Sequence, residues 1–221
     1  AQGSVTLNTT VASLATNVTG DLVIEETNDL VVNGIAATGD ISLNLANGDL
    51  NGTGVISAGD DITLNVSSGF IDLDAVPGQV TGDQLTITAE NSSSINTKVT
   101  GITANITGPG ETLTINEFDD LQIVVPGLQT DGDITVTVGD DLTITGAINV
   151  NPPNANVTLN VAGTISGTGL ITADRLNVTA GDSATLSTNI AEIDADITGS
   201  LDVTETNGLN IVDIAVTEDL T

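Results

Sequence analysis

The sequence predicts an all-β fold: a parallel β-helix or solenoid of rungs of roughly 20 residues, grouped in repeats of about 90 residues. Three observations predict it. They are an aliphatic composition almost free of aromatics, a strand-period alternation that restarts after Gly-Asp pairs, and an internal repeat. Of the 221 residues, 39% are apolar, nearly all Val, Ile, Leu and Ala, with two Phe and no Trp, Tyr, Cys or Met. That is too apolar for a disordered acidic chain, so a core exists. There are 35 Thr, 21 Asn and 24 Gly. Thr, Val and Ile favour strands, while Gly, Asn and Asp favour turns.

The aliphatic core bears on shape. A sandwich fills a layer about 10 Å thick and often uses large aromatics to do so. A narrow solenoid is filled by stacked Val, Ile and Leu. The rival architecture is a tandem of immunoglobulin-like β-sandwiches, whose domains are also about 100 residues long. The lack of core aromatics and the finer rhythm inside the repeat favour the solenoid.

That rhythm runs through Gly20-Asp21, Gly39-Asp40, Gly59-Asp60 and Gly82-Asp83, at steps of 19, 20 and 23 residues. It returns at Gly132-Asp133, with related starts at Gly110 and Gly199. Alternating runs follow, such as Ile62-Thr63-Leu64-Asn65-Val66 and Ile134-Thr135-Val136-Thr137-Val138. Apolar residues at every second position mark strands with one buried face. A step near 20 residues is one rung of three short strands and three corners. Gly permits the positive φ that corners use, and Asp or Asn tolerates it. Pro77, Pro109, Pro126, Pro152 and Pro153 are all expected between strands, where a missing ladder donor does no harm.

Self-comparison gives the longer unit. Residues 85–108 align without a gap to 176–199, an offset of 91. Residues 20–32 recur at 111–123 and again at 199–211, and the start of the chain from Leu7 matches the stretch from Leu186. The expected organisation is one continuous array: a partial unit over 1–84, a full unit over 85–175 and a partial unit over 176–221. Opening and closing mid-unit, the chain reads as a window on a longer array.

Phrases such as GVISAGDDITLNV (54–66) and GTISGTGLITADRLNVTAG (163–181) resemble the central repeats of filamentous-haemagglutinin-type β-solenoid proteins of microbial cell surfaces. The resemblance covers most of the chain and is one of style, without a diagnostic motif. It implies a right-handed parallel β-helix shaft in an extracellular or cell-surface location, and a structural or adhesive role without catalysis. This chain is more acidic than many members and does not include that family's N-terminal secretion domain. The shaft therefore carries over, and a particular receptor does not. Implied partners are further copies of the chain, further repeats of the same chain, or a host or neighbour-cell receptor.

The charge is the other outstanding property. Thirty acids face only Lys98 and Arg175, for a formal charge of -28. Eleven rungs about 4.8 Å apart would make a rod about 53 Å long, with one net charge per ~2 Å. Duplex DNA carries one per about 1.7 Å. Such a rod repels itself and collects counterions. Carboxylates, Asn side chains and corner carbonyls favour Ca²⁺, so a structural Ca²⁺ is the cofactor expected. The candidate ligands are the acidic pairs Asp60-Asp61, Asp119-Asp120 and Asp140-Asp141, with Asp72 and Asp74, which share a strand face. An EF-hand loop and a GGxGxD nonapeptide are both lacking.

Paired carboxylates also serve sugar hydrolysis, and some β-helices are polysaccharide-active enzymes. A sugar-cleaving site also draws on stacking rings and basic groups, which two Phe and two bases scarcely supply. Lys98 and Arg175 fall on Asn189 and Gln84 in the sister copies, so neither is a repeated feature. A Ca²⁺-dependent receptor- or glycan-binding module ranks ahead of catalysis and behind the structural shaft. Nucleic acid is disfavoured for want of a basic patch, and an anionic membrane would repel the surface. No apolar stretch reaches the ~18 residues of a membrane span. Eight Asn-x-Ser/Thr sequons, at Asn8, Asn17, Asn51, Asn65, Asn91, Asn105, Asn156 and Asn177, are candidate glycosylation sites.

Overall fold

A computed structural model describes residues 3–151 and 154–221. All its regular structure is β: 22 strands join one continuous sheet in which every pairing between strands is parallel. The chain winds as a β-solenoid of about 11 turns. Antiparallel hairpins, which a tandem of sandwiches requires, do not occur among the described residues.

The rungs follow from the alternation. Ile62–Val66 and Ile134–Val138 each bury their first, third and fifth residues and turn the others outward. Stacking then aligns like with like. Leu22, Ile41, Ile62, Leu85 and Ile102 form one column, each opposite the next across the ladder. Its steps are 19, 21, 23 and 17 residues, so rung length varies while the column is kept. Ile24, Leu43, Leu64, Ile87, Ala104, Leu128, Ile148 and Ile171 form a second. All are buried in one contiguous core. Burying each Leu or Ile contributes about 1.5–3 kcal/mol, and the ladder satisfies the backbone along the axis.

Each turn has three faces. The first carries Val5–Thr9 (β1), Leu22–Glu26 (β3), Ile41–Leu45 (β5), Ile62–Val66 (β8) and the latter half of Val80–Ala89 (β10). The second carries the start of Ser93–Ile106 (β11), then Leu113–Glu117 (β12), Ile134–Val138 (β14) and Asn156–Val161 (β17). The third carries Ile35–Ala37 at the end of Leu30–Ala37 (β4), Ile56–Ser57 (β7), the start of β10 and Thr97–Val99. The start of Leu121–Thr130 (β13), then Leu142–Ile144 (β15), Ile165–Gly167 (β18), the start of Ala184–Ile197 (β20) and Leu201–Glu205 (β21) run where the third side meets the first, since Ile102 faces Ile123 and Ile123 faces Ile144.

After one unit the sequence repeat does not return to the same face. Leu22 and its sister Leu113 are 91 residues apart. The column of Leu22 reaches Ile102 after four turns, and Leu113 lies one face further on. From Leu113 four more turns reach Ile193, and the next sister, Leu201, lies beyond it on the same turn. Nine turns carry the column of Ile24 through Ile171 and Thr188 to Glu205, two residues past Val203, the sister of Ile24. Each unit thus advances the helix by about four and a half turns, and the third copy starts within two residues of the first copy's column while the middle copy starts in another.

Corners need Gly where rungs approach closely. A Cβ on Gly59 would lie 2.3 Å from the Thr38 carbonyl oxygen, and one on Gly139 would lie 2.1 Å from that of Phe118. Not every expected corner is one. Gly82-Asp83 lies inside β10, where the ladder passes over Asp83 between the pairs Gly82–Val99 and Gln84–Gly101. Pro77 and Pro109 fall in turns as expected, and Pro152 and Pro153 lie outside the described residues. Pro126 corrects the expectation, because it lies within β13. Between the pairs Ile102–Ile123 and Ala104–Leu128, Thr103 alone faces residues 124–127, which bulge outward. A bulge needs no ladder donor from Pro126, so proline is tolerated there.

The columns make a differential prediction. Leu64→Ala empties a fully buried position and should cost about 2–5 kcal/mol. Thr86→Ala, on the outward face of β10, should stay within about 0.5 kcal/mol. Urea unfolding of both variants checks this; equal costs would contradict the inward and outward assignment.

Candidate functional site

The corners hold most of the polar chemistry, and two devices recur there. The first is an aspartate ladder. Asp21 Oδ1 accepts from Asp40 N–H at 3.3 Å, Asp40 Oδ1 from Asp61 N–H at 3.1 Å, and Asp61 Oδ1 from Gln84 N–H at 3.1 Å. Asp29 serves Asp49 N–H at 3.0 Å, and Asp49 serves Phe70 N–H at 3.1 Å. Asp120 serves Asp141 N–H at 3.1 Å, and Asp141 serves Thr164 N–H at 2.7 Å. Each carboxylate satisfies the amide one rung on, just before the next strand begins or, at Gln84, within β10. The Gly-Asp pattern thereby acquires a reason: Gly permits the approach, and the nearby Asp caps the following rung.

The second device is a glutamate clamp, one per repeat copy. Glu26 Oε2 accepts from Thr9 Oγ1 at 2.6 Å and Val11 N–H at 3.1 Å, while Oε1 accepts from Thr27 N–H at 2.8 Å. Its sister Glu205 accepts from Thr188 Oγ1 at 2.8 Å, Ile190 N–H at 3.3 Å, Thr206 N–H at 2.7 Å and Asn207 N–H at 2.9 Å. Glu117 accepts from Val99 N–H at 3.1 Å, Phe118 N–H at 2.8 Å and Asp119 N–H at 3.4 Å. Thr97 holds the equivalent place beside Glu117. Its buried hydroxyl makes no hydrogen bond.

The clamps fill a lapse in the ladder. Between the pairs Thr9–Glu26 and Ser13–Val31 the later rung has one residue more than the earlier. The same mismatch separates Thr97–Glu117 from Gly101–Gln122, and Thr188–Glu205 from Glu192–Asn210. The Glu carboxylate accepts the N–H groups this bulge strands.

The expected cation ligands divide. Asp60 and Asp61 converge with Asp40, and Asp140 and Asp141 converge with Asp120; in each trio carboxylate oxygens lie within 4.8 Å of one another. Asp40 carried no sign in the sequence beyond its Gly-Asp pair, because its approach to Asp60 and Asp61 spans a rung. The Asp40 and Asp61 charges hold Asp60 above the usual carboxylate range. Asp119 turns instead to Lys98, with Nζ–Oδ2 at 3.2 Å. Asp72 and Asp74 face the same way without a third acid; burial, then the Asp74 charge, raises Asp72. Asp74 Oδ2 accepts from Ser94 Oγ at 2.7 Å. Of the sequon asparagines, Asn8, Asn17 and Asn105 are exposed, and Asn51, Asn65, Asn91, Asn156 and Asn177 are half-buried.

No family model, curated protein or solved structure matches the chain. No helix among the described residues is long and apolar enough to cross a membrane.

The clamps predict opposite pH trends. Burial raises Glu26, but its donors together outweigh that and leave it below the ordinary value. Its stabilisation is therefore present above the unfolded value of 4.5 and lost as pH falls through the lower folded value. Burial wins at Glu117 and leaves it raised. Its contribution is full below 4.5 and lost as pH rises through the folded value. Glu26→Gln should thus cost more at pH 7 than at pH 4, and Glu117→Gln less. Denaturant melts of both variants at the two pH values test this; parallel trends would contradict the assignment.

Proposed function

We propose that this chain is a non-enzymatic structural segment of an extracellular filament, appendage or adhesin shaft, able to continue or polymerise end to end. The supporting observation is the parallel ladder that runs the length of the described residues over uninterrupted aliphatic columns. Rungs so stacked make contacts chiefly with the rungs above and below, and further rungs can be added without altering those already present. The outermost described rungs offer suitable edges. Strand β1 and strand Asn210–Val216 (β22) are each paired with a strand on one side only, and Val5, Leu7, Ile214 and Val216 are only partly buried. Edges of this kind are templates for another strand. The resemblance to haemagglutinin-type repeats and the high acidity accord with a surface location.

The non-enzymatic reading rests on composition. Two bases and two Phe are a poor stock from which to assemble a catalytic centre. Ca²⁺ enters as a structural adjunct at the two aspartate trios. One oxygen each of Asp40, Asp61, Asp120 and Asp141 is already engaged by a backbone amide, which holds these carboxylates in place.

Two measurements bear on this reading. Sizing and negative-stain imaging of the purified chain should show rods of integral multiples of one length. Leu7→Lys with Ile214→Lys should shift the population to single rods. Single rods before any substitution, with melting behaviour unaffected by either lysine, would remove the end-to-end proposal. For the cation, about 1 mM Ca²⁺ should raise the melting temperature by a few degrees beyond NaCl of equal ionic strength. Asp60→Asn with Asp140→Asn should abolish that excess. An equal effect of Ca²⁺ and NaCl would reduce the trios to ordinary counterion sites.

A further inference from the structure

The middle clamp differs from its sisters in what surrounds it. The outward positions are Thr10, Thr27 and Asn28 in the first copy and Asn189, Thr206 and Asn207 in the third. In the middle copy they are Lys98, Phe118 and Asp119. A chain with two bases and two aromatics thus places one of each at a single corner. Lys98 Nζ lies 3.2 Å from Asp119 Oδ2 and 5.3 Å from the centre of the Phe118 ring. The ring is 60% exposed. Beside this cluster the third face carries a groove of about 710 Å³, open along one side. It spans four successive rungs, from Thr81 through Lys98 and Gln122 to Thr143. It opens where the ladder lapses between residues 98–100 and 118–121.

We propose that this groove is a binding site for a neutral oligosaccharide. The volume falls in the ~300–1,000 Å³ range of small-molecule sites. It is lined by hydroxyl and amide groups, from Thr100, Gln122 and Thr143, and by the carboxylates of Asp119, Asp120 and Asp141. These donors and acceptors match the vicinal hydroxyls of a sugar. The exposed ring of Phe118 offers an apolar face at the same corner. Charge selects against anionic ligands, which the formal charge of -28 repels. Within the groove Lys98 is paired with Asp119, so the preference for a neutral ligand rests on the hydroxyl and amide lining rather than on charge. The inference does not depend on the shaft reading, since a shaft with or without end-to-end assembly could carry the groove.

The test uses the whole chain and named probes: maltotetraose, cellotetraose, mannotetraose and a tetragalacturonate, each by isothermal titration. Saturable binding of at least one neutral tetrasaccharide is expected. Gln122→Ala and Phe118→Ala should each weaken it at least 10-fold, and Thr27→Ala, at the first-copy corner, should leave it unchanged. Phe118 is exposed, so Phe118→Ala should keep its melting temperature and remain interpretable if Gln122→Ala does not fold. The proposal is overturned if none of the neutral probes binds at millimolar concentration, if only the galacturonate binds, or if neutral binding survives Phe118→Ala.

Discussion

The structure depends on one constraint: each residue has as its nearest axial neighbours the residues at the same position one rung above and below. In a globular core a large side chain can face a small one. In a stack, a position that turns inward must suit its own repetition at about 4.8 Å. Aliphatic side chains do so, and Leu22, Ile41, Ile62, Leu85 and Ile102 are one solution. The same constraint acts on polar residues. A carboxylate placed at a corner can accept the next rung's amide. Repetition therefore turns Asp21, Asp40 and Asp61 into a ladder of caps.

Repetition also sets the electrostatic difficulty. Caps that stack are charges that stack, and only two bases are available to offset thirty acids. Acid trios such as Asp120, Asp140 and Asp141 follow from rungs that each carry an Asp pair at the same corner. The amide hydrogen bonds of Asp120 and Asp141 account for those two aspartates without a ligand.

Much of the fold was legible because it is local or periodic. Alternation at Ile62–Val66 fixes which side chains turn inward, and Gly-Asp marks the rung. What was not legible crosses rungs. Asp40 belongs with Asp60 and Asp61 only once rung length brings them level. Glu26, Glu117 and Glu205 are sister residues in the alignment, yet a lone Glu at a strand end reads as an ordinary surface acid. Its partners, Val11, Val99 and Ile190, lie 15 to 18 residues back on the preceding rung. Pro126 misled for a related reason: a bulge within a strand leaves no mark in a two-residue alternation. The groove beside Lys98 was invisible because it arises from a lapse in pairing, which periodicity does not encode.

The phase of the repeat is the least evident consequence of the winding. Unit length and rung length can both be read from the sequence, yet neither alone shows that the unit is about four and a half turns. A unit of whole turns would place every Glu clamp at one corner and every sister surface residue in one stripe. Such a rod would have a single repeated side, open to lateral stacking against another like it. The extra half turn interrupts that side. Glu205 returns to within two residues of the column that Glu26 occupies, but the intervening clamp, Glu117, lies in a different column opposite Thr97. Consecutive lapses in the ladder therefore do not fall in one seam. In a rod of this acidity, setting each copy half a turn from the last separates neighbouring copies of the same irregularity and the same surface charge.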